Sequence, residues 1–191
     1  MRSLLTSAAL LCVIAISSSA YAADITYTIH DVFGSNSVNG TITTDGDLGI
    51  LSTADITGFS ITLNDGTNTD SITSANAQKF IRGSSVTATG TGLFFDFDNP
   101  KGDLLVFQKP TIGAAGKNVL CYQDAVANCT GGTPSTEAFA EANGVIQFDI
   151  RSGVAEIASA PSAVPEPSSV VLLGTGLFGF AGAARRKFLK V

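Results

Sequence analysis

Asp96-x-Asp98-Asn99, with Asp103 close behind, and the earlier Asp45-Gly46-Asp47 are the residues best suited by type and spacing to do chemistry. A calcium ion gathers about six to eight oxygens from closely spaced carboxylates and carbonyls. Neither stretch keeps the D-x-[DN]-x-[DN]-G spacing and distal Glu of a calcium hand. Turns also demand Asp, Asn and Gly, so Asp96, Asp98 and Asp103 stand as calcium candidates and as turn residues alike. A glycosidase needs two carboxylates at a defined separation in space, which sequence spacing does not give. His30 is the only histidine and is followed by Asp31. A hydrolase triad needs that base against a serine nucleophile, and no Gly-x-Ser-x-Gly elbow is present. Zinc needs several His or Cys ligands, which the chain lacks. No catalytic residue is nominated, no resident metal is expected and no cofactor is implied.

The cysteines carry a different chemistry. Cys12 lies in an apolar N-terminal stretch, leaving Cys121 and Cys129 as an even pair. Outside the cytoplasm such a pair reads as a disulfide. On a loop-entropy estimate a bridge this short contributes about 2–3 kcal/mol.

These residues must be positioned by strands. Ile25, Tyr27 and Ile29 alternate with Thr26, Thr28 and His30, and Phe59, Ile61 and Leu63 with Ser60 and Thr62, before the turn Asn64-Asp65-Gly66. Apolar runs follow at Leu93 to Phe97, Leu104 to Phe107, Val119 to Tyr122 and Val145 to Ile150, most of them bounded by turn residues. Period-2 runs at this spacing predict an all-β, antiparallel sandwich or jelly-roll-like single domain over residues 23–157. Ser135 to Ala142 is the one helical candidate, short enough to be a turn of helix or a loop. The Thr-rich stretches Thr41, Thr43, Thr44 and Thr87, Thr89, Thr91 suggest a flat ice-binding face, but no fixed repeat supports it, and Thr is a good strand former anyway. No Trp is present, so an aromatic platform for sugars is not evident.

Charge narrows the partners. The net charge is −5, with the acids in the body and a basic cluster at the C-terminus. An acidic body repels nucleic acid, so no nucleic-acid partner is expected.

Both ends carry export signals. Arg2, an apolar run from Leu4 to Ile16 and Ala20-Tyr21-Ala22 form a secretory signal peptide over residues 1–22, cut between Ala22 and Ala23. Residues 158–164 are small and Pro-bearing, as in a linker. Pro165-Glu166-Pro167 then precedes an apolar stretch over 168–184 and the cations Arg185, Arg186 and Lys187. About 17 residues is the lower limit for spanning a hydrocarbon core of about 30 Å. The positive-inside rule holds the basic end in the cytoplasm as a membrane stop. The prolines fix φ and remove backbone donors, which keeps the motif extended and out of any helix.

This order of motif, span and cationic end resembles the PEP-CTERM sorting domain of Gram-negative bacteria, over residues 165–191. The segment from Gly40 to Gly46, followed by Leu51 to Ile56, is similar to a stretch near the N-terminus of many such proteins. The resemblance implies processing by exosortase, a transient stay in the inner membrane with the body in the periplasm, and delivery to the cell surface or extracellular matrix. It further implies a structural or adhesive part in exopolysaccharide or biofilm, without enzymatic activity. A calcium- or carbohydrate-binding module and an envelope hydrolase are the other readings.

Overall fold

The computed structural model describes residues 23–114, 118–124, 129, 137–142 and 144–161, with the backbone alone at 33, 137–142, 145 and 146. The signal peptide, the stretch at 168–184 and the sorting residues Pro165, Glu166, Pro167, Arg185, Arg186 and Lys187 lie outside the described residues. Among the described residues no helix is long and apolar enough to cross a membrane.

Among the described residues the fold is all-β, in two antiparallel sheets. One sheet has eight strands, in the spatial order Gly49–Ile50 (β3), Val86–Ala88 (β7), Gly92–Asp96 (β8), Val154–Ser159 (β13), Ile25–Phe33 (β1), Asn36–Thr44 (β2), Ile56–Asn64 (β4) and Thr69–Thr73 (β5). The other has five, in the order Val145–Ile150 (β12), Glu137–Ala142 (β11), Val119–Gln123 (β10), Leu104–Gln108 (β9) and Gln78–Arg82 (β6).

Alternation sets the facing of the large sheet. Tyr27 and Ile29 of β1, Val38 and Ile42 of β2, and Ile61 and Leu63 of β4 are buried together, while Thr28, His30, Asn39 and Ser60 are exposed. Local chemistry fixes the turns that hold this register. Gly34, at φ 59°, supplies the left-handed residue of the two-residue β1–β2 hairpin. Between β4 and β5, Asp65 Oδ1 accepts the amides of Thr67 and Asn68 at 2.8 and 2.6 Å, an Asx turn.

In the small sheet β9 and β10 are continuous apolar runs because both their faces are covered. Every residue of β9 and β10 is buried. Leu105, Phe107, Leu120 and Tyr122 face the large sheet within one shared core. Leu104, Val106, Val119 and Cys121 form a second cluster on the opposite face, with Cys129 packed into it. Ring contacts cross between the sheets: Phe59 to Phe107 at 4.9 Å, and Phe95 and Phe97 each to Tyr122 at 6.4 Å. Each buried aromatic contributes about 1.5–3 kcal/mol by leaving water.

Two expectations change. Ser135 to Ala142, read as a turn of helix or a loop, contains strand β11, paired on one side with β10 and on the other with β12. Ala and Glu favour helix locally, but Glu137, Phe139 and Glu141 also alternate with Ala138, Ala140 and Ala142. Two waiting strand edges outweigh a weak propensity. The last strand, β13, runs to Ser159, and Ala160 N donates to Thr91 O at 2.8 Å. The sheet therefore takes in Ala158 and Ser159 beyond residue 157, with Ala158 in the core.

Candidate functional site

Two clusters of polar side chains fasten parts of the fold together. The first lies between the sheets. Tyr122 on β10 donates its hydroxyl to Asp31 Oδ2 on β1 at 2.7 Å. Arg151, just beyond β12, pairs with Asp31 Oδ1 at 2.9 Å and with Asp149 Oδ2 at 2.7 Å. Four side chains thus tie the first strand of one sheet to the middle and edge of the other. Burial works against the Arg151 charge, but the Asp149 hydrogen bond and the Asp31 charge outweigh it and raise its pKa. Tyr122 is pushed well above the usual phenol value, first by burial, then by the Asp31 charge and the hydrogen bond to it.

The second cluster surrounds Asp103, which is 3% exposed. Its Oδ2 accepts the Ser84 amide at 2.7 Å, the Ser85 hydroxyl at 2.9 Å and the Asn99 amide at 3.1 Å. Asp124 closes the arrangement: its Oδ2 accepts Asp103 N at 2.6 Å, and its own amide donates to Asp103 O at 3.1 Å. Gly83 sits at φ 85° directly against the Asp103 carboxylate, where any Cβ would collide with it. Left-handed backbone and close approach together require glycine there.

The calcium candidates each have partners in the fold or lie at its surface. Asp96 Oδ1 accepts the Asp98 amide at 3.2 Å, an Asx turn, and Asp98 is exposed. Asp103 faces three donors, which a cation would have to displace. Among the described residues no group of three or more His, Cys, Asp or Glu side chains is placed to hold a metal. Asp45 likewise turns its own loop, accepting Asp47 N at 3.1 Å.

His30 and Asp31 are split by the strand itself, since neighbouring residues point to opposite faces. His30 is exposed and bonds through Nδ1 to Asn39 Oδ1 on β2, while Asp31 turns inward to Tyr122 and Arg151. They form no dyad. A third polar contact spans the sheets at the surface: Lys109 reaches Asp70 Oδ1 and Oδ2 at 3.0 and 3.1 Å, and Asn118 bonds to the same carboxylate. Being half exposed, that ion pair contributes about 0–1 kcal/mol.

Cys121 and Cys129 are joined as a disulfide, with Cα atoms 6.4 Å apart. Cys129 N donates to Gln123 Oε1 at 2.8 Å, seating the bridge on the outer face of the small sheet.

The inter-sheet cluster had no signature in the sequence, because Asp31 stands 91 residues from Tyr122 and 120 from Arg151.

The two core tyrosines give a direct readout. Tyr27, whose hydroxyl donates to Thr89 O at 2.9 Å, is also shifted upward by burial, against a lowering hydrogen bond with Thr44. In a chain beginning at Ala23, Tyr27 and Tyr122 are the tyrosines that remain. Raised folded pKa values mean that this stability is fully present below the unfolded value of about 10 and is lost as pH climbs through the folded values. A spectrophotometric titration of the folded protein is expected to show less phenolate near pH 10 than the half-ionised signal of free tyrosine, the remainder appearing as the fold is lost. A half-ionised signal at about pH 10 with intact circular dichroism would contradict the burial described here.

Beyond this two-sheet antiparallel domain the sequence continues into Pro165-Glu166-Pro167. Residues 163–187 match the family model of the PEP-CTERM protein-sorting motif. The motif implies secretion and processing by exosortase. No curated protein and no solved structure matches the chain.

Proposed function

We propose that this chain is exosortase cargo whose body is a non-enzymatic β-sandwich. In this reading residues 168–184 hold it briefly in the inner membrane with the body in the periplasm. Processing near Pro165-Glu166-Pro167 then releases it to the cell surface or an exopolysaccharide matrix, where its role is structural or adhesive. The match of residues 163–187 to the sorting motif is the observation that carries the reading. The body is consistent with it. Its two buried clusters use their carboxylates to fasten strands, since Asp31 and Asp103 are each surrounded by donors from their own fold.

Deleting Pro165, Glu166 and Pro167 in the native host tests the proposal. The parent protein is expected to lose its tail and move out of the inner-membrane fraction, while the deletion variant stays full length and membrane-bound. Equal size and equal distribution of the two would contradict sorting through the motif.

A further inference from the structure

The outward face of the large sheet carries a pattern that the linear sequence conceals. Strand register aligns Ser159, Thr28, Thr41, Ser60 and Thr73 in one row across β13, β1, β2, β4 and β5. The next row is His30, Asn39, Thr62 and Ser71. A flanking row pairs Thr26 with Thr43, their hydroxyls 3.0 Å apart. No position in these rows is buried. The regularity comes from pairing and not from a repeat, which is why no fixed Thr spacing marks it along the chain. Thr44, by contrast, turns inward and is buried.

A water-facing antiparallel sheet normally carries polar residues outward; here Val32 and Glu156 are also exposed on that face, but the rows between them are Thr and Ser with one Asn and one His. Residues 23–161 contain 15 acidic and 6 basic side chains, yet the rows contain no Asp, Glu, Lys or Arg. Asp31 and Asp70, the charged residues of β1 and β5, turn instead to Tyr122 and Lys109 on the other sheet. Tyr27 and Phe59 also point inward, so the rows lack an aromatic platform.

We propose that this face docks an uncharged polysaccharide. The inference deepens the matrix role proposed above by naming the surface and the ligand class. An acidic body repels anionic polymer, and the rows offer it no cation. A neutral hydroxyl-rich chain meets no such penalty and finds donors and acceptors at about 4.8 Å across the strands and about 6.7 Å along them. Single hydroxyl contacts contribute only about 0.5–1.5 kcal/mol each, so affinity must come from many formed together on one polymer. Threonine suits that use. Its χ1 is stiff, and paired strands fix its backbone, so little entropy is lost when a polymer settles on it.

The test uses the purified full chain in detergent, with amorphous cellulose and dextran gel as neutral probes and alginate gel as the anionic one. Retention on at least one neutral probe, with none on alginate, is expected. Thr28→Glu with Ser60→Glu should weaken that retention by about tenfold or more. Thr28→Val with Thr41→Val, which keeps the shape and removes the hydroxyls, should weaken it several-fold at an unchanged unfolding midpoint. Retention on neither neutral probe, retention undiminished in both variants, or ice-crystal shaping without polymer retention would overturn the proposal. Because the assay is done outside the cell, its failure is separable from a failure of sorting.

Discussion

Asp31→Ala is expected to lower the unfolding free energy by about 3–5 kcal/mol, measured by denaturant titration of the protein with its disulfide intact. The substitution strands two donors at once. Tyr122 is completely buried and its hydroxyl has Asp31 as acceptor. Arg151 keeps Asp149, but that partner is itself 40% exposed and sits at the rim. An orphaned phenol costs about 1–3 kcal/mol, and weakening a largely buried guanidinium contact adds to it. Tyr122→Phe supplies the control, because it removes the stranded hydroxyl together with its bond. In the double variant the loss should be well below the sum of the two single losses. A loss under about 1 kcal/mol for Asp31→Ala would mean that the sheets are held by apolar contact alone.

Asp103→Ala should be of similar size, about 3–5 kcal/mol, for a different reason. Here no opposite charge is lost. Three neutral donors, the Ser84 amide, the Ser85 hydroxyl and the Asn99 side chain, converge on one oxygen, and alanine removes that shared acceptor. Asp103→Asn keeps one acceptor but brings a donor among donors, so its effect should fall between alanine and the parent. Gly83 makes the site unforgiving, since its backbone lies against the carboxylate and leaves no room for a longer side chain. Equal unfolding midpoints for parent and alanine variant would show that Asp103 is a bystander.

These two residues mark where sequence reasoning succeeds and where it stops. The alternation in β1 and β4 is visible because each strand has one buried face and one wet one. The unbroken runs of β9 and β10 are visible because both their faces are covered. Strand β11 escaped, since its Ala and Glu content argues for helix and only the flanking strands decide otherwise. Asp103 was legible as a chemically interesting carboxylate, yet its three donors come from residues 4, 18 and 19 positions away, and their convergence follows from folding. Asp31 was legible only as the neighbour of His30. The strand sends the two to opposite faces, and the partners of Asp31 lie in a different sheet. Cys121 and Cys129 were the easy case, because an even pair with close spacing leaves little choice.

The tail and the body support one another. A domain delivered across a membrane has to persist outside the cell, and this one combines a disulfide, two buried polar clusters and a continuous inter-sheet core. Its larger sheet carries the hydroxyl rows on its water-facing side, with Glu156 exposed at their β13 edge.

The central claim is that the tail is a handle for processing and does not remain on the finished protein. Mass spectrometry of the protein recovered from the cell surface or culture fluid of its native host tests this most directly. A C-terminus within or just beside Pro165-Glu166-Pro167, with residues 170–191 missing, is the predicted result. Recovery of the chain still ending at Val191, with its apolar segment and Arg185-Arg186-Lys187 intact, would contradict it.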